Sequence, residues 1–109
     1  MSIIDSFEAM LAKGQDGTLL RFGLAQAYMK EKQYDKAVVH FLKTLEHDPA
    51  YSAAWKLLGK TYVELNEEDK AINTFSKGID IAQQKGDIQA AKEMRVFLKR
   101  LQKHEQPEN

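Results

Sequence analysis

Residues 18–51 and 52–85 are two versions of one 34-residue phrase. Superposed at that offset they share seven identities: Leu24 with Leu58, Tyr28 with Tyr62, Asp35 with Asp69, Lys36 with Lys70, Ala37 with Ala71, Phe41 with Phe75, and Lys43 with Lys77. Val38 with Ile72, Leu45 with Ile79 and Ala25 with Gly59 add conservative matches, and one further step back brings Ile4, Phe7 and Leu11 into register. A period of this size marks stacked supersecondary units, each too small to bury its apolar face alone and completed by its neighbour.

Within each version the apolar positions recur at helical spacing, Leu24 and Tyr28 first and then Ala37, Phe41 and Leu45, with no strand-like alternation. Each therefore reads as two helices. The pattern predicts helices over 3–13, 19–31, 35–47, 53–65, 69–84 and 88–103. Thr18 and Ser52 stand where helix N-caps belong, and Asn66 suits a left-handed residue at a helix end. Asp35 and Asp69 place a carboxylate in the first turn of each second helix, where it opposes the dipole. Pro49 closes the first unit, Gly86 and Asp87 suit a C-cap and the next N-cap, and residues 105–109 read as a flexible tail.

Trp55, Leu58, Gly59 and Tyr62 fit W-x2-L-G-x2-Y, and Ala71 with Phe75 fits A-x3-F; together they resemble the tetratricopeptide repeat. The first unit keeps Leu24, Tyr28, Ala37, Phe41 and Pro49, with Arg21 in place of tryptophan and Ala25 in place of glycine. The resemblance implies an all-α fold, a right-handed superhelix of antiparallel helix hairpins. About six helices would form it, as a half repeat (1–17), two repeats (18–51 and 52–85) and a capping helix (86–104), within a single domain spanning 1–109. Gln83 stands where the family usually has proline, so the second helix of the second repeat is expected to run on through AQQKG. The stem of Arg21 is expected to cover the tryptophan site with its charge in water.

The chemistry-bearing residues form no reactive constellation. His40, His47 and His104 make no i, i+4 pair and have no cysteine for company, so they read as helix-surface residues and no metal or cofactor is expected. The run Glu67, Glu68, Asp69 has a sufficient structural reason at a helix start, and GQDG lacks both the lysine and the preceding strand of a phosphate loop. The expectation is therefore a noncatalytic protein. Sixteen basic and sixteen acidic side chains cancel, which removes any global attraction to nucleic acid or an anionic membrane. With no secretory leader and no apolar run of membrane-spanning length, the expected location is cytoplasmic.

In proteins that this sequence resembles, the first helix of each repeat lines a concave surface that holds extended peptides. That implies a partner surface of Leu19, Phe22, Gln26 and Met29 from one repeat and Ala53, Lys56, Lys60 and Val63 from the next. An apolar patch beside two lysines suits a protein segment with an apolar anchor and a nearby carboxylate. The expected function is thus an adaptor that binds a peptide or helix of another protein. The plainer alternative has Phe22 and Met29 packed under the N-terminal helix against Phe7 or Met10. Gln26 and Lys60 stand where some members carry the asparagine of a clamp for chaperone C-termini, which leaves that clamp incomplete. Homodimerisation through the same patch is a variant of the adaptor reading. The last helix carries Met94, Phe97, Leu98 and Leu101 on one face and Lys92, Arg95, Lys99 and Lys103 around another. It reads first as a cap over the core, with nucleic-acid or anionic-membrane binding as the alternative function.

Overall fold

Six helices and no strand make up residues 2–105, the part of the chain that the computed structural model describes. They are α1 (Ile3–Ala12), α2 (Thr18–Lys30), α3 (Tyr34–His47), α4 (Ser52–Glu64), α5 (Glu68–Lys85) and α6 (Ile88–Glu105). Helices α2 to α5 each begin one residue earlier than the periodicity predicts. The expected tail at 105–109 lies outside the described residues apart from Glu105, whose backbone ends α6.

The earlier starts change which residues cap. Thr18 and Ser52 are not caps: each is the first residue inside its helix, and the cap positions fall to Gly17 and Tyr51, neither of which makes a side-chain cap bond. The Gly17 and Tyr51 carbonyls accept the first-turn amides of Arg21 and Trp55, and once its own residue is helical a hydroxyl is no longer placed to serve the following amides. Ser52 is instead buried, and its Oγ finds no hydrogen-bond partner among the described residues. A side-chain cap does form at α1, where Ser2 Oγ accepts from the Asp5 amide at 3.1 Å and Asp5 accepts from the Ser2 amide at 3.4 Å. The S-x-x-D spelling just before an apolar run was a legible signal for it.

Helix ends follow the chemistry more closely. Asn66 has φ 60° and Gly86 φ 85°, both left-handed as the sequence implies. Lys32 occupies the place equivalent to Asn66 with φ 62°, an unfavoured conformation for a long side chain that the sequence did not reveal. The surrounding hydrogen bonds explain it: the Gln33 amide reaches back to the Tyr28 carbonyl at 2.9 Å, as Glu67 does to Tyr62 at 2.9 Å, so both turns need the same backbone. Beyond Gln83 the helix does continue, and α5 runs for 18 residues against 14 in α3.

Packing joins neighbours in chain order: α2 lies on α3, α3 on α4, α4 on α5 and α5 on α6, while α4 also touches α2 and α6. The 34-residue period is thus a period in space. Leu24, Tyr28, Phe41, Leu58, Tyr62 and Phe75 all lie in one buried cluster, with Ala25, Ala37, Ala54 and Ala71 letting the backbones approach. At Gly59 the approach is closest, because a Cβ built there would stand 2.4 Å from the Phe75 ring. Gly23 plays the same part against Phe7 of α1, and Gly78 against Trp55 and Met94. On α6, Ala90, Ala91, Met94 and Leu101 are buried while the basic residues are exposed, so this helix does cap the core.

The buried hydroxyl at Ser52 gives a test of sign. A true N-cap would lose about 1 kcal/mol on change to alanine. Removing an unpartnered buried hydroxyl is neutral or stabilising. Ser52→Ala is therefore expected to leave the urea midpoint unchanged or raise it, and a clear drop would restore Ser52 as a cap.

Candidate protein-binding groove

Helices α2, α4 and α6 stand side by side, with α4 in the middle. Their polar and charged side chains are held by two separate networks, one at each end of the stack.

At the α2 end lies Arg21, where the second repeat has Trp55. Trp55 donates from Nε1 to the Pro49 carbonyl at 2.8 Å, tying α4 to the turn before it. Arg21 ties α2 to its own preceding turn by other means, donating from Nε and Nη2 to the Asp16 carboxylate at 2.8 and 2.9 Å. Only 13% of its side chain is exposed, so the expectation that its charge lies in water is wrong. The pairing holds the Asp16 carboxyl well below the usual carboxylate range, through the hydrogen bonds from Arg21 and then His47, whose Nε2 lies 3.0 Å from Asp16.

Arg21 Nη1 also lies 3.1 Å from His40 Nδ1. A guanidinium has only donors, so Nδ1 must accept and the ring must carry its proton on Nε2. His40 is buried, stacked on Tyr28 at 5.5 Å with an interplanar angle of 7°, which corrects its reading as a surface residue. Burial, and then the Arg21 charge, lower its pKa. Tyr28 in turn donates to the Glu8 carboxylate of α1, and that bond with burial pushes the phenol up to about 12. One chain of contacts thus links α1, α2 and α3.

At the other end α4 meets α6. Lys56 donates to Glu93 of α6 at 3.2 Å, so this lysine is already paired. Lys60 Nζ stands 5.2 Å from the centroid of the Phe97 ring, and Arg100 Cζ stands 5.9 Å from it. Phe97 is stacked on buried Phe75 at 5.6 Å. Lys60, Val63, Glu64, Phe75, Phe97, Arg100 and Leu101 line a cavity of about 250 Å3 there. Among the described residues neither Lys60 nor Arg100 has a carboxylate within ion-pair distance.

The residues expected to form a partner surface therefore divide. Lys60 and Val63 line the cavity, and Lys56 stands beside it with its charge met by Glu93. Leu19 and Gln26 are exposed on α2, away from that cavity. Phe22 and Met29 are half-buried against the core. The ring neighbours of Phe22 are Phe41 at 6.0 Å and Tyr51 at 4.8 Å, while Phe7 lies over Gly23. Of the cavity residues on α6, Arg100 was not singled out, and Phe97 and Leu101 were read as part of the apolar face of the cap. Their apolar spacing was visible in the sequence, but nothing there says that α6 leaves α4 at a gap. Among the described residues no group of His, Asp and Glu side chains is arranged to hold a metal, and no helix is long and apolar enough to cross a membrane.

Comparison with known proteins fits this geometry. Residues 29–94 match the family model described as tetratricopeptide repeat. The TPR repeat-containing protein PA0015 of Pseudomonas aeruginosa is 43% identical over 99 residues, which are 91% of this chain and 94% of that protein. The solution structure of protein BPP2914 from Bordetella parapertussis superposes with a TM-score of 0.85 at 42% identity, covering 95% of this chain and 90% of that one. A tetratricopeptide repeat domain protein from Salinibacter ruber gives a TM-score of 0.74 at 29% identity over 80% of this chain and 97% of that one. The chain belongs to the tetratricopeptide repeat family, and the fold is that of a scaffold for contact between proteins.

Acid should weaken the α2 end. His40 has a folded pKa below its unfolded value, so its contribution is complete at a pH above the unfolded pKa and is lost as pH falls through that value and on toward the folded one. The stability difference between wild type and His40→Gln, followed by urea unfolding, should shrink between about pH 7.5 and about pH 5.5. A difference that stays flat over that range would contradict the placement of a neutral His40 under Arg21.

Proposed function

We propose that the chain is a noncatalytic adaptor that holds a segment of another protein along α2, α4 and α6, with its anchor point in the cavity between α4 and α6. One observation carries this reading: Lys60 and Arg100 flank an exposed part of the Phe97 ring at the mouth of an apolar recess. A recess of that kind accepts an apolar side chain, and the two cations favour a carboxylate beside it. A flexible lysine acts there as a point charge, whereas Arg100 can offer two parallel N–H donors. Val63 and the exposed α2 residues Leu19 and Gln26 would extend the contact, with Phe22 and Met29 supporting it from below. Lys56 would contribute through its bond to Glu93, which fixes α6 beside α4, more than through a charge of its own. The family's generally noncatalytic character supports the same reading.

The full-length chain, immobilised and panned against a library of random peptides, should enrich sequences with a large apolar residue next to Asp or Glu. Binding of an enriched peptide should fall about tenfold for Phe97→Ala and severalfold for Lys60→Ala or Arg100→Ala, with Lys77→Ala as an unaffected control. An enriched peptide that binds all of these variants equally would remove the cavity as the anchor point.

A further inference from the structure

From Ile88 to His104 the sequence has a single carboxylate, Glu93, and it is bonded to Lys56. The lysines and arginines of that span, Lys92, Arg95, Lys99, Arg100 and Lys103, are all exposed. Among the described residues none of them has a carboxylate within ion-pair distance. The exposed face of α5 mixes both signs, with Asp69, Lys70, Lys77 and Asp80, as a face that serves only solubility does. The outward side of α6 has one sign, and Val96, 48% exposed, stands on the same stripe as Lys92, Lys99 and Lys103. Val96, Lys99, Arg100 and Lys103 line a shallow depression of about 330 Å3, floored by the valine and by the aliphatic stems of its neighbours. Arg100 also lines the recess between α4 and α6, so one guanidinium stands between two places that can take an apolar side chain.

We propose that the partner segment anchored in the recess continues across α6, past Arg100, and seats a second apolar side chain in the depression at Val96; this rests on the recess being the anchor point. The occupant is an extended acidic segment of another protein, and the geometry sets its spacing. Phe97 and Val96 are consecutive, so their side chains stand about 100° apart around a helix about 10 to 12 Å across, which puts the two seats about 10 Å apart over its surface. An extended chain covers that in about three residues. A carboxylate between the two apolar residues meets Arg100, which can hold it with two parallel N–H donors. Carboxylates beyond the second one meet Lys99 and Lys103 as point charges. Charge also supplies the selectivity, because a basic segment with the same apolar spacing would be repelled along the whole stripe. Nucleic acid would use the cations and leave the depression unfilled, since it brings phosphates and flat bases, and the stripe offers Val96 where base stacking needs an aromatic ring.

Two labelled synthetic peptides and a labelled oligouridine test this by fluorescence anisotropy against the full chain. One peptide carries two leucines three positions apart, with glutamates between and after them; the other has serine in place of the second leucine. The two-leucine peptide should bind about fivefold more tightly. Val96→Ser should remove that advantage and leave the one-leucine peptide bound as before. Lys99→Ala with Lys103→Ala should weaken the two-leucine peptide about fivefold in about 50 mM salt, and much less in about 500 mM. Equal affinity for the two peptides, with both weakened by Lys60→Ala and Phe97→Ala, would overturn the second seat and leave the recess as the anchor point. Peptide binding untouched by Lys60→Ala and Phe97→Ala would overturn both. Failure of either peptide to bind would overturn the two-anchor segment, with the recess still judged by the library-enriched peptides. An oligouridine held more tightly than the two-leucine peptide, and released by Lys99→Ala with Lys103→Ala, would assign the stripe to nucleic acid and overturn the proposal.

Discussion

Large side chains, above all the rings of Phe75 and Phe7, set against positions with little or no side chain hold this stack together. Phe75 lies against the backbone at Gly59, Phe7 against Gly23, and Met94 with Trp55 against Gly78. These contacts fall between α4 and α5, between α1 and α2, and where α5 meets both α4 and α6. Between α2 and α3 the same role goes to Ala25 and Ala37, with Phe41 fully buried beside them. A glycine in mid-helix costs about 1 kcal/mol relative to alanine. Truncating a buried phenylalanine to alanine costs about 3 to 5 kcal/mol, so a close fit around the ring outweighs the propensity lost at the glycine. The spacing of α4 against α5, and with it the width of the recess beside α6, follows from that fit.

The two repeats meet one requirement with different chemistry. Each needs the start of its first helix fixed to the turn before it. Trp55 does so with an indole N–H on a carbonyl, and Arg21 with a two-pronged ion pair on Asp16. The substitution draws in further partners, because a largely covered guanidinium needs acceptors for its remaining donors. His40 supplies one, and it lies between Arg21 and the ring of Tyr28. The first repeat is thereby linked to acid–base chemistry that its neighbour lacks, with Thr74 at the place of His40 simply turned back onto the Lys70 carbonyl at 2.7 Å.

The sequence disclosed the fold because packing needs recur with the period, and a residue that recurs every 34 positions at helical spacing has few other uses. Tyr28, Phe41, Tyr62 and Phe75 were placed in the core on that ground, and they lie there. Asn66 and Gly86 were legible because backbone with positive φ favours few residue types. Lys32 was not, since its turn is imposed by neighbouring hydrogen bonds and not by its own side chain. Thr18 and Ser52 misled because a hydroxyl near a helix start can stand one place inside it as easily as at the cap. Part of the proposed groove was also hidden. Lys60 and Val63 could be set on one face of α4, but the Lys56–Glu93 bond and the recess at Phe97 depend on how α6 lies across α4, and no repeat constrains that helix after α5 lengthens.

The coupling between ring and glycine can be measured directly by a double-mutant cycle of Gly59→Ala and Phe75→Leu, read by urea unfolding. If the ring occupies the space that a Cβ needs, Gly59→Ala alone should destabilise by about 1 to 3 kcal/mol despite alanine's better helix propensity. In the Phe75→Leu background its cost should fall by about 1 kcal/mol or more, as for residues in contact. Two substitutions that simply add, or a Gly59→Ala chain more stable than wild type, would contradict the account.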